Sequence, residues 1–125
     1  MLNNVVLIGR LTKDPELRYT PSGVAVATFT LAVNRTFAKE GQQQADFIPV
    51  ITFNKQAENC ANYISKGRMV AIEGRIQVRT YEDKQGQKRW ATEVIANNVR
   101  FLDYGKDKGQ ELGQEVEFDE QDIPF

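Results

Sequence analysis

Histidine is absent from the 125 residues and cysteine occurs once. These two shortages exclude a Cys/His zinc site, a Ser-His or Cys-His nucleophilic pair and any intramolecular disulfide, and a lone thiol suits a reducing compartment. Long hydrophobic runs are also missing: Val5-Val6-Leu7-Ile8 is cut short by Gly9 and Arg10, well below the length of a signal-peptide core or a membrane span. A cytoplasmic protein with no membrane contact is the expectation. Carboxylates paired for acid/base work, a phosphate-cradling glycine loop and an oxygen-rich calcium loop are not found. Glu82 and Asp83 are adjacent in a polar loop with no partner recognisable from the sequence, and the carboxylate-rich chain end lacks calcium-loop spacing. The reading is therefore not an enzyme, with no catalytic residue, no metal and no cofactor.

What is present is a soluble composition, 41% hydrophobic and 26% charged, long enough for one domain. A domain of this size has little interior for an enclosed site, which favours binding on an outer face. The net charge of -1 conceals two segments. Residues 1–102 hold 14 Lys and Arg against 9 acids, a surplus of +5, whereas residues 103–125 hold 2 Lys against 8 acids, a deficit of -6. A basic body has the sign needed to attract a polyanion. A block of like charge with few apolar residues cannot build a core, so the chain divides into a folded domain, 1–102, and a short, flexible acidic tail, 103–125.

Within the body, residues 4–11 (NVVLIGRL) form a β-branched run in which Gly9 marks a bulge or bend. Turn chemistry at Asp14-Pro15 and Thr20 to Gly23 brackets a short extended piece, 16–19. Residues 24–34 make a second strand and 46–53 a third, with Pro49 demanding an edge, a bulge or a solvent-facing position. One helix follows, with Asn54 as N-cap, Ala57, Cys60, Ala61 and Ile64 on its apolar face, and Gly67 as its stop. Cys60 on that face is a small buried hydrophobe. A strand over 69–81, a polar loop over 82–88 and a strand over 89–102 complete the body. An all-β chain of five strands, with one short helix between the third and fourth, has the element order of a five-stranded OB-fold barrel.

Alternation along the fourth strand puts Arg75, Gln77, Arg79 and Tyr81 on one face and Gly74, Ile76, Val78 and Thr80 on the other, an apolar inner side. The basic, aromatic-ended face suits single-stranded nucleic acid, where guanidinium groups follow phosphates and a ring stacks on any base; it equally describes a solvated strand with a surface Tyr. Phe47 and Phe53 share a face of the third strand and are about 20 Å apart at the usual rise. Either they fill the core, or Ile48 and Val50 do so and leave them exposed. Phe37, between Arg35 and Lys39 in a polar loop, has no core to enter and is a stacking candidate, as is Trp90 beside Arg89. Finally, Asp122-Ile123-Pro124-Phe125 sets two large apolar side chains and a terminal carboxylate behind an acidic run, a form suited to docking in a partner's pocket.

These residues resemble the bacterial single-stranded-DNA-binding protein family. The resemblance is carried by VVLIGRLTKDPELRYTPSG, VATFTLAVNR, ADFIPVITFNKQAEN, YISKGRMVAIEGRIQVRTYED and TEVIANNVRFL, covering residues 1 to about 102, and by the DIPF tip. It implies OB-folds assembled as a homotetramer, around which single-stranded DNA wraps, and a tip, Asp122 to Phe125, that recruits replication, recombination and repair proteins. By motif position the wrapping rings fall on Phe37, Phe47, Phe53 and Tyr81, and the basic DNA-facing positions on Arg35, Lys55 and Arg79, with Arg18 and Arg89 beside them. Better-studied members often carry Trp where this chain has Phe or Tyr. The linker over 103–118 is short, and Gln121 interrupts the acidic run. The resemblance implies a cytoplasmic, nucleoid-associated protein that coats single-stranded DNA without sequence preference. Its alternatives are an accessory or phage-type paralogue serving recombination or DNA uptake, and an OB-fold protein-interaction adaptor.

Overall fold

A computed structural model describes residues 1–37, 39–41 and 44–103. The β-branched runs become β1 (Val5–Leu11), β3 (Ala25–Asn34), β4 (Ala45–Phe53), β5 (Met69–Glu82) and β6 (Lys88–Phe101), with β2 at Glu16–Tyr19 and the helix α1 at Asn54–Tyr63 between β4 and β5. The sheet runs β1-β5-β6-β4-β3, and β3 pairs back onto β1, so five strands close into a ring. Closure removes the free edges of the ring, as in an OB-fold barrel. Every pairing is antiparallel except β4 with β6, which run parallel at Val50↔Val94 and Ile51↔Ile95.

The extended piece at 16–19 is a strand in its own right. It adds to the edge of β3 that β1 leaves unoccupied: β2 pairs with residues 25–28, while β1 pairs with Leu31 and Ala32. Crossing from β5 to β3 brings β1 close to the β3 backbone, and Gly9 is the residue that permits it. A Cβ there would collide with the Ala32 carbonyl oxygen. Gly9 thus marks a close approach, while the register shift falls at Glu73/Gly74, where a Cβ on Gly74 would meet the Ile95 carbonyl oxygen.

The core collects the inward side chains of every ring strand, among them Leu11, Phe29, Leu31, Val50, Val70, Ile72 and Val94. Helix α1 packs across β2, β3, β4 and β6 and adds Ala57, Cys60 and Ile64. Cys60 is fully buried, and burial pushes its thiol up to about 11 against an opposing hydrogen bond with Thr52, which keeps it protonated and unreactive. The helix start departs from the sequence reading. Phe53, in extended conformation, occupies the N-cap without a side-chain cap bond, and Asn54 is the first helical residue with φ of 58°. Asparagine tolerates that left-handed geometry, which turns the chain sharply out of β4. The helix also ends before Gly67, at Tyr63, with Ile64 extended.

The second departure concerns β5. Beyond Gly74 no third strand flanks β5 among the described residues, and β6 loses β4 before Val94. Residues 75–82 and 88–93 therefore form a two-stranded arm. Its expected inner side is half open, with Ile76 at 44% and Val78 at 57% exposure, because the barrel core ends below them. The Asn3 side chain continues β1 alongside the arm, donating to the Ile76 carbonyl (2.9 Å) and accepting from its amide (2.8 Å). At the chain end Asp103 accepts from the Met69 amide (3.0 Å) and pairs with Arg10 (3.3 Å). The tail beyond it, with the tip Asp122 to Phe125, lies outside the described residues.

Candidate nucleic-acid interface

Strand β4 decides what faces outward. Ile48, Val50 and Thr52 point to the interior, so alternation sends Phe47, Pro49, Ile51 and Phe53 to the opposite side. Phe47 is 58% and Phe53 39% exposed. The register carries this side across the sheet: Phe53 lies beside Val26, which lies beside Arg18 of β2, and Phe47 lies beside Ala32. On the other flank Ile51 meets Ile95, and Ile95 is opposite Arg75. From there the arm continues with Gln77 opposite Glu93, Arg79 opposite Ala91 and Tyr81 opposite Arg89. One surface therefore runs from Arg18 through Phe53 and Phe47 to Arg79 and Tyr81. Phe37, almost wholly exposed, follows β3 at the Phe47 end.

Pro49 sits at the seam of this surface. The β4–β6 ladder is formed at Val50 and Ile51 and does not include Pro49, which has no amide hydrogen to offer. Where the ladder stops, a shallow cleft of about 320 Å³ opens, with Pro49, Ile51, Thr28, Arg79 and Glu93 among its walls. A second recess, about 490 Å³, joins Phe53 to Lys55 and Arg75.

Electrostatically the cations divide. Arg79 donates through Nε to Glu93 (2.9 Å), Arg18 pairs with Glu16 (3.2 Å) and Arg89 pairs with Asp83 (3.0 Å). Asp83, without a recognisable partner in the sequence, caps the arm's turn: it also accepts from the amides of Gln85 and Gln87, both at 2.9 Å. The Gln87 amide first, and then Arg89, hold its carboxyl below the usual range. Arg35 grips Asp46 through Nε (3.1 Å) and Nη2 (2.8 Å), which raises its pKa further. Asp46 alternates with Phe47, so Arg35 is held on the other side of β4 from the rings, a structural clip at the base of the loop. Among the described residues Lys55 and Arg75 have no ion-pair partner.

Trp90 is 64% exposed but pairs with Thr80, which places it on the face of the arm opposite Tyr81, where the Lys88 ammonium lies 5.8 Å from its ring centroid. The surface thus brings together Arg18, Phe47, Phe53, Lys55, Arg79, Tyr81 and Arg89, with Phe37 at its end, and leaves out Arg35 and Trp90. Two residues join it unforeseen as site residues. Arg75 was legible as part of the basic face. Glu93 is visible only once the register sets it against Gln77.

Residues 2–102 match the model of the single-strand binding protein family. The chain belongs to that family. Among its relatives, single-stranded DNA-binding protein 2 of Clostridium acetobutylicum is 53% identical, covering 99% of this chain and all of the relative. Single-stranded DNA-binding protein A of Bacillus subtilis is 61% identical over 82% of this chain and 60% of its own length. Single-stranded DNA-binding protein 2 of Staphylococcus aureus is also 61% identical, over 82% of this chain and 74% of the relative. The family's fold and the closed barrel agree.

Proposed function

We propose that this chain coats single-stranded DNA without sequence preference, in the cytoplasm, during replication, recombination and repair. The observation that carries the reading is the outward face of β4: Phe47 and Phe53 stand exposed while Ile48, Val50 and Thr52 serve the core. These partly exposed rings lie on the same face as Arg18, Lys55, Arg75 and Arg79, and they match the stacking surface and phosphate contacts that single strands need. The names of the relatives support the same ligand.

The protein is further proposed to act as a homo-oligomer, in keeping with the family's tetramer. Support comes from apolar side chains that the single chain leaves in water: Val6 and Ile8 on the outward side of β1, and Ile76 and Val78 on the arm. Recruitment of replication and repair proteins is assigned to the tip, Asp122 to Phe125, on its sequence alone.

The test is anisotropy of labelled oligo-dT against a duplex of equal length, at low and high salt. Tight binding to the single strand is expected, with log affinity falling by about 0.7 per phosphate neutralised for each tenfold rise in salt. Sedimentation of the same sample reads the assembly state. Equal or absent binding to both DNAs would refute the reading and leave the adaptor alternative, with the tip as the working part.

A further inference from the structure

The stacking ring on the arm belongs to a chain of contacts that begins at a buried acid. Glu93 is 4% exposed, and the other buried polar side chain among the described residues is Thr52. A buried carboxylate is costly unless it is paired, and Glu93 is paired twice through Oε1: by Arg79 Nε at 2.9 Å and by Gln77 Nε2 at 3.3 Å. The guanidinium carbon of Arg79 lies in turn 5.5 Å from the centroid of the Tyr81 ring. Gln77, Arg79 and Tyr81 alternate along one face of β5, and Glu93 stands across from them on β6.

The geometry at Arg79 matters. Glu93 takes Nε and leaves Nη1 and Nη2 with no hydrogen-bond partner among the described residues, while the Arg79 side chain stays 54% exposed. The guanidinium is therefore oriented without losing the edge that meets a phosphate, and its plane is kept over one face of Tyr81. Tyr81 itself stays 44% exposed, so ring surface remains for a base. A flexible arginine on a two-stranded arm would otherwise have to be ordered when DNA arrives, at a cost of about two- to tenfold in affinity for one rotamer-rich side chain.

We propose that Glu93 is a positioning residue for single-stranded DNA: it acts through Arg79 to pre-set both a phosphate contact and the Tyr81 stacking platform, although its own charge opposes the ligand. This rests on the DNA-binding reading above and adds a residue to it. The sign of the effect separates positioning from simple electrostatics. Deleting an acid beside a polyanion strengthens binding if the charge is all that counts, and weakens it if orientation dominates.

The experiment measures oligo-dT affinity for the full chain and for Glu93→Ala, Glu93→Gln, Arg79→Ala and the Arg79→Ala/Glu93→Ala double variant, with thermal melting of each. Expected results are a two- to tenfold loss for Glu93→Ala, and recovery of most of it by Glu93→Gln, which keeps the acceptor and the volume. The double variant should bind no worse than Arg79→Ala, because Glu93 has nothing left to position. A role in folding alone would give losses that follow the melting temperature and add in the double variant. If Glu93→Ala binds as tightly as the parent or tighter, or if the losses add, the proposal is wrong. If Glu93→Ala does not fold, Glu93→Asp, which keeps the charge but draws the carboxylate back by one methylene from Arg79 Nε, decides: it must weaken binding in the parent and change nothing in the Arg79→Ala background, and binding equal to the parent overturns the proposal. Loss of DNA binding by no variant, Arg79→Ala included, would overturn the face reading itself. Loss on Arg79→Ala without loss on Glu93→Ala would overturn the positioning role alone.

Discussion

Replacing Phe47 with Ala separates a ring used for binding from a ring used for folding. Phe47 is 58% exposed and faces Ala32 across β4 and β3, so a little under half of its ring surface is covered in the fold. Full burial of such a ring is worth about 3–5 kcal/mol when truncated in a core, so the partial burial here puts the folding cost of Phe47→Ala at about 1–2 kcal/mol. On a barrel of this size that lowers the melting midpoint by roughly 5–15 °C, leaving it folded at room temperature. Loss of one stacked base costs about 1–3 kcal/mol of binding, or about 5- to 150-fold in affinity for oligo-dT. Phe29, 5% exposed, is the control: truncating it should cost the fold about 3–5 kcal/mol. Anisotropy titrations at 20 °C, read beside circular-dichroism melts, measure both quantities on the same samples. The reasoning is refuted if Phe47→Ala binds within twofold of the parent, or if it melts as badly as Phe29→Ala.

Trp90 lies on the far side of the arm from Tyr81, so Trp90→Phe is expected to cost less than threefold in affinity where Tyr81→Ala costs at least fivefold; equal losses would place DNA on both faces of the arm. Lys55→Ala and Arg75→Ala should each reduce the slope of log affinity against log salt by about 0.7, and Arg35→Ala, whose guanidinium is held by Asp46, should change it less. Asp83 has its pKa lowered by the Gln87 amide and then Arg89, so its stabilisation of the arm turn is present above the ordinary carboxylate pKa of 3.8 and is lost as pH falls through the depressed folded value. An NMR titration should therefore find the Asp83 midpoint below 3.8, with the Gln85 and Gln87 amide signals moving alongside it; a midpoint at or above 3.8 would remove the cap from the account.

Much of the fold was legible because its signals are local. The β-branched runs, the turn residues and the 3.6-residue spacing of Ala57, Cys60 and Ile64 each act within a few positions of themselves, and the barrel order followed from their sequence along the chain. The short piece 16–19 was less plain, since four residues form a strand only when β3 offers an unoccupied edge. Asn54 has the chemistry of a cap, yet the chain turns through it, a backbone choice that no local pattern announces.

The site divides along the same line. Residue type alone determined that rings and cations recur where a single strand could use them, and that these 125 residues offer no histidine and no second cysteine for a Cys/His zinc site or an intramolecular disulfide. Which face of β4 looks outward, whether Arg35 and Trp90 stand with the rings, and that Glu93 is buried under Arg79 were decided by tertiary structure. Alternation is silent about which side is the inside, and a salt bridge across strands depends on a register that the bulge at Gly74 shifts. Those choices are made only when the ring closes, because closure alone determines which side of each strand is removed from water.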